Sequence, residues 1–199
     1  MERHLALELA STVRHDGQGG VTDDLITPAG LTHWIRGQAD LLDGTVPGTI
    51  TADENLRVEV VALRQAVRTL FARAVRPGPP SPADAHRLLP GEQALARLND
   101  AAAREPVTPR LDWPDDAPPA TVVGSDEPDP GVRLVAALAR AAIAFLAGPE
   151  REKLRACTAP RCVRYFVKEH GRQEWCRPSC GNRARAARHY RRVRDAAAH

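Results

Sequence analysis

The chain has 199 residues, a net charge of +3 and 43% hydrophobic content, enough for one core of ordinary size plus a small appended unit at roughly 100 to 200 residues per domain. Aromatic residues supply only 4%, so the core is built from Leu, Val, Ile and Ala, which favours helices over sandwiched sheets. Membrane insertion and secretion are excluded as expectations: the most apolar run, 132–146, contains Arg133 and Arg140 and is shorter than the roughly 18 to 20 residues of a span, and the first apolar stretch is broken by Glu8 with no cleavage pattern behind it. A cytoplasmic location follows, and the fold class expected is mainly α.

The charge is unevenly placed. Residues 151–199 hold 14 Lys plus Arg against 4 Asp plus Glu, while residues 1–150 hold 14 against 21, which gives a tail of +10 and a body of −7. Segregation of this kind points to a polyanionic partner for the tail, with the body kept apart from it or folded against its own tail when idle.

In chain order, Leu5, Leu7, Leu9 and Val13 open a segment that begins as a helix and stops before the Gly17-Gln18-Gly19-Gly20 loop. Thr27-Pro28 reads as an N-cap followed by proline in the first turn, starting a short helix that buries Leu31, Trp34 and Ile35. The longest helix of the body is expected from Thr51, capped reciprocally with Glu54, to about Arg76. Its buried stripe is Leu56, Val60, Leu63, Val67, Leu70 and Ala74, which leaves Arg57, Arg64, Arg68 and Arg73 as a solvated face.

Pro77-Gly78-Pro79-Pro80 breaks the chain, Ser81-Pro82 can start another helix, and a further helix is expected over 92–104. Residues 107–113 and 121–124 have β character and predict a short surface hairpin. Asp129-Pro130 caps a helix running to Ala147, apolar nearly all round except at Arg133 and Arg140, which belongs at the centre of the domain. Gly148-Pro149 ends it, dividing a helical domain, 1–148, from a C-terminal module, 149–199.

All four cysteines lie in that module, as Cys157-x4-Cys162, thirteen residues, then Cys176-x3-Cys180. Two tight pairs separated by a hairpin's length of chain suit tetrahedral zinc, and four thiolates leave no open position for water or substrate, so the expected ion is single and structural. Val163, Tyr165 and Val167 alternate with Arg164, Phe166 and Lys168 as a first strand, His170 is a turn or surface residue, and Trp175 packs over the sulfurs. Gly181 permits close backbone approach, and Asn182 is positioned to hydrogen-bond a cysteine sulfur or a nearby loop.

From Cys180 onward the residues are strongly helical, and at 100° steps the six arginines from Arg183 to Arg194 fall within an arc of about 200°. Asn182, Ala186, His189, Tyr190 and Val193 then form the side expected to face the zinc core.

Glu174-Trp175-Cys176 followed by Cys180-Gly181-Asn182-Arg183 and an arginine-rich helix resembles the CGNR zinc-finger family, named for that tetrapeptide. Leu5-Ala6-Leu7-Glu8-Leu9, Thr12-Val13-Arg14 and Leu25-Ile26-Thr27-Pro28 are similar to the ABATE domain, a stress-induced transcription regulator domain that accompanies it. The resemblance implies a helical N-terminal domain, a small treble-clef-like module, zinc at the four cysteines and DNA binding.

The function expected is that of a bacterial transcription regulator, with Arg183, Arg185, Arg188, Arg191 and Arg192 contacting DNA and residues 1–148 forming a homodimer, taking a small-molecule effector or meeting another protein. Arg64, Arg68 and Trp34 are candidate lining for an effector pocket. The alternatives are a protein-interaction module whose basic helix binds an acidic partner, and a redox-responsive module using the same thiols. An enzyme is not expected: the chain lacks a Gly-rich phosphate loop or nucleophile elbow, and His4, His15, His33 and His86 have no motif spacing.

Overall fold

Seven helices and three two-stranded hairpins organise residues 3–18, 20–42, 50–84 and 86–197, the part of the chain described by a computed structural model. Gly19 of the expected glycine loop lies outside the described residues. Helix α1, Leu5–Ala10, gives way to strand β1, Val13–His15, which pairs antiparallel with β2, Val21–Asp23. Val13 is therefore a strand residue and not the end of the first helix. Helix α2, Pro28–Arg36, starts as expected, with Thr27 Oγ1 accepting from the Gly30 N–H at 3.1 Å and Leu31, Trp34 and Ile35 buried.

Helix α3 spans Glu54–Ala74, and its cap is Asp53, not Thr51. The Asp53 carboxylate accepts from the Leu56 N–H at 2.8 Å, while Glu54 is engaged by Arg57 Nε at 2.9 Å and has no role as the reciprocal member of a box. The expected apolar stripe of α3 is inside, but its arginine face is not all solvated. Arg64 and Arg68 are buried, 5% and 4% exposed. Arg64 donates to Asp23 Oδ2 at 2.6 Å and Thr12 Oγ1 at 2.8 Å. Arg68 donates through Nε to Asp84 Oδ1 at 2.7 Å, and through its other nitrogens to the Ala10 carbonyl, Ser81 Oγ and the Val163 carbonyl. Elements on both flanks of the stripe cover α3, and guanidinium groups fit there because the fork can serve several acceptors at once.

Ser81-Pro82 yields only a 3-10 turn, Pro82–Asp84, whose Asp84 is consumed by Arg68. Helix α4, Gly91–Ala103, precedes the expected hairpin, β3 Thr108–Asp112 with β4 Ala120–Gly124. Helix α5, Pro130–Ala147, is capped by Asp129 Oδ1 on the Gly131 N–H at 2.7 Å. It is long and apolar enough to cross a membrane by length and composition, yet it packs on α1, α3 and α4. Arg140 and Arg133, on its one polar side, meet Glu105, whose side chain is 1% exposed. Those contacts make α5 the central helix of the fold.

A four-residue helix α6, Glu150–Lys153, leads into β5, Leu154–Ala156, which pairs with β6, Tyr165–Val167. The strand around Tyr165 is thus the second of its hairpin and not the first; its partner precedes Cys157, because the first cysteine pair itself forms the turn. Leu154 and Tyr165 belong to the same hydrophobic cluster as α1, α3 and α5. Phe145, Phe71 and Tyr165 pack in sequence, the first pair tilted and the second edge-to-face, with centroids 5.3 and 5.5 Å apart, linking α5, α3 and β6. Helix α7, Pro178–Ala197, closes the described chain.

Candidate metal centre and basic helix

The turn between β5 and β6 brings Cys157 and Cys162 together. The Cys157 N–H extends the ladder by donating to the Arg164 carbonyl at 2.9 Å, and the Cys162 N–H donates to the Ala159 carbonyl at 3.0 Å. Arg161 completes the turn in the left-handed region, φ 62°, a conformation that favours glycine. Its guanidinium donates to the Gly17 carbonyl at 3.2 Å, so the turn is anchored on the β1–β2 connection. The second pair comes from the start of α7: Cys176 precedes the helix and Cys180 lies in its first turn, its N–H donating to the Arg177 carbonyl at 3.1 Å.

All four sulfurs are buried and lie within 4.8 Å of one another. A tetrahedron with metal–sulfur bonds of about 2.3 Å has edges of about 3.8 Å. Cys162 and Cys176 are separated by 3.6 Å, and Cys176 and Cys180 by 3.5 Å, so the donor set fits one tetrahedral ion. Proton sharing tells the same story. Hydrogen bonding to Cys162 holds the Cys157 thiol up, at about 11. Bonding to Cys157 and Cys162 pushes Cys176 higher still, and bonds from Cys157 and Cys176 hold Cys162 far below the ordinary thiol value. Protons alone do not let these sulfurs ionise together, whereas a divalent cation does.

Trp175 packs against the sulfur cluster. Gly181, inside α7, lies beneath it: a Cβ there would stand 3.1 Å from the indole Cε3. Asn182 accepts from Arg185 and makes no sulfur contact among the described interactions. The donor to sulfur is Arg183, whose Nη2 lies 3.1 Å from Cys180 Sγ. Sequence reasoning assigned Arg183 to DNA alone; the spacing from Cys180 to Arg183, one helical turn, is the signal that places a guanidinium over the preceding sulfur.

Helix α7 begins at Pro178, so Cys180 and not Gly181 sets its docked side. That side is Cys180, Gly181 and Ala184, with Ala187 half-buried. The expected inward face is instead outward: Asn182, Ala186 and His189 are exposed, as are Tyr190, at 73%, and Val193, at 54%. The arginines share the docked side. Arg188 lies over the Trp175 ring, 5.8 Å from its centroid, while Arg191 and Arg192 follow in the turns beyond, exposed. Among the described residues no ion pair or hydrogen bond joins α7 to residues 1–150.

A helical N-terminal region followed by a four-cysteine metal site at the base of a basic helix is the architecture of a zinc-finger protein. A family model described as "Putative stress-induced transcription regulator" (ABATE) matches residues 3–149, and one for the CGNR zinc finger matches residues 153–193. The chain belongs to the ABATE family, carries a CGNR zinc finger, and holds a single structural zinc at Cys157, Cys162, Cys176 and Cys180. No curated protein matches it.

Proposed function

We propose that the protein is a cytoplasmic, non-enzymatic, DNA-binding transcription regulator of bacteria, in which the zinc site fixes the base of α7 and the outer turns of that helix grip DNA. The observation carrying this reading is the state of α7: it has six arginines and one acidic residue, Asp195, and it makes no ion pair with the acidic body among the described residues. Guanidinium groups left free of carboxylates are available for phosphate, and arginine can also address guanine edges. Arg191 and Arg192 are the foremost contacts. Arg185, and Arg183 and Arg188 with the nitrogens not turned to sulfur and indole, complete the set.

Residues 1–148 supply a scaffold and, on this reading, a dimer contact that presents two such helices. Binding of labelled duplex DNA by the zinc-loaded chain, followed by fluorescence polarisation, should weaken with a log–log salt slope of roughly −4 to −5 for five phosphates neutralised. Replacing Arg191 and Arg192 together by Gln should reduce the slope by about 2. Absence of any salt-dependent affinity for DNA overturns the reading in favour of an acidic protein partner.

A further inference from the structure

A cavity of about 660 Å³ lies where the N-terminal region meets the zinc finger, between α1, α2 and β6. Its volume is in the range of small-molecule sites, roughly 300 to 1,000 Å³. Leu7 and the largely buried rings of Trp34 and Phe166 contribute apolar walls. Its charged groups are of one dominant sign. The two carboxylates facing it are already engaged, Glu8 with Arg3 and Asp24 with Arg14. Arg164 and Arg177 also face it, and neither makes a hydrogen bond or ion pair through its side chain among the described interactions. Arg164, the residue before β6, is half-buried, with the like charges of Arg177 and Arg14 and the sulfurs of Cys176 and Cys162 nearby. Two guanidinium groups that line one cavity and make no hydrogen bond or ion pair through their side chains among the described interactions leave charged donors free for an anion that enters it.

We propose that this cavity binds a small organic anion, an oxyanion head group carried on an apolar body, with Arg164 and Arg177 on the head group and Leu7, Trp34 and Phe166 on the body. Nothing in this assignment depends on DNA binding. The walls come from α1 and α2 on one side and from β6 and the Cys176 loop on the other, so the ligand bridges the two regions matched by separate families. The site differs from the expectation that Arg64 and Arg68 line an effector pocket: both are committed to Asp23 and Asp84, and only Trp34 of those three faces this cavity.

The test uses the zinc-loaded full chain with 2-naphthoate as probe and neutral 2-naphthamide as its uncharged counterpart, read by calorimetry and by tryptophan fluorescence. Saturable binding of 2-naphthoate is expected, about tenfold or more tighter than that of the amide, because the charged head group is what the arginines recognise. Arg164→Gln should weaken 2-naphthoate by about tenfold while zinc content stays at one per chain. Should Arg164→Gln disturb the finger, His33→Glu decides: His33 lies on the exposed rim of the cavity, far in sequence from the sulfurs, and a carboxylate there should weaken the anion several-fold. The proposal is overturned by absence of saturable 2-naphthoate binding, by equal affinity for acid and amide, or by unchanged affinity in His33→Glu. It is also overturned if duplex DNA displaces the probe and His33→Glu weakens DNA to the same extent, since the cavity would then be part of the DNA surface.

Discussion

Tyr165 on β6 donates its hydroxyl to Asp84 Oδ2 at 2.7 Å, and the same carboxylate takes Arg68 Nε at 2.7 Å. One buried carboxylate thereby ties the hairpin of the zinc finger to the longest helix of the body. Burial and the Asp84 charge push the Tyr165 phenol above its ordinary value, so it remains a donor across the working pH range.

Asp84→Ala leaves Arg68 buried without its counter-ion and Tyr165 without its acceptor, and should cost about 3 to 5 kcal/mol of unfolding free energy. Tyr165→Phe removes a hydrogen bond to a charged carboxylate and the acceptor of the buried Ser81 N–H, and should cost about 1.5 to 3 kcal/mol. Urea denaturation of the two variants and of their combination measures both values. Their effects should not add, because the residues share one interaction.

Metal analysis should return one zinc per chain, and chelation at neutral pH should release four titratable thiols. Zinc binding is worth about 10 to 16 kcal/mol in small zinc peptides at pH 7. Because Leu154 and Tyr165 are buried in the main core, removal should lower the melting temperature of the whole chain and not of the last segment alone. A melting curve for the helical body that is indifferent to chelator contradicts this. Acidification should mimic chelation, since protons compete with zinc for the sulfurs.

The Asp23 carboxyl is drawn upward by burial but held, on balance, below its ordinary value of 3.8 by Arg64 and the Leu25 N–H. A carboxyl with a depressed folded value stabilises the fold fully above the unfolded value and loses that contribution as pH falls through the folded one. The stability difference between wild type and Asp23→Asn should therefore shrink between about pH 5 and pH 3. Measuring the difference cancels the loss of zinc that both proteins suffer in acid. A gap that stays constant over this window removes Asp23 as the cause.

Gly181→Val forces branched carbons toward the Trp175 indole, where even one Cβ stands 3.1 Å from the ring. The ring covers the sulfurs, so the variant should shift Trp175 emission and weaken zinc retention against a competing chelator. Gly181→Ala should do so less.

The helical class, the caps at Thr27 and Asp129, the surface hairpin of β3 and β4 and the cysteine set were legible because each is written in local spacing. What was missed depends on partners distant in the chain. Arg64 and Arg68 sit at helix positions that look solvated by period alone, and they are buried because Asp23 and Asp84 arrive from separate segments. The strand around Tyr165 was recognised, but its partner lies on the other side of the cysteine turn, which alternation cannot reveal. The side of α7 that docks was misplaced because the helix was counted from Arg183, whereas Pro178 and Cys180 fix its phase. A helical wheel gives the angles among residues, and only the metal gives the origin.

Leu154 and Tyr165 lie beyond residue 148, yet they fill the core that α1, α3 and α5 enclose. The finger is therefore a poor candidate for transplantation. Grafted onto another protein, it would carry two bare apolar side chains and a tyrosine hydroxyl without its carboxylate. The remainder, left behind, would keep Arg68 without the Val163 carbonyl it now serves. Two recognisable sequence families have become a single heritable unit, in which a change on either side of the junction is judged by what it does to the other.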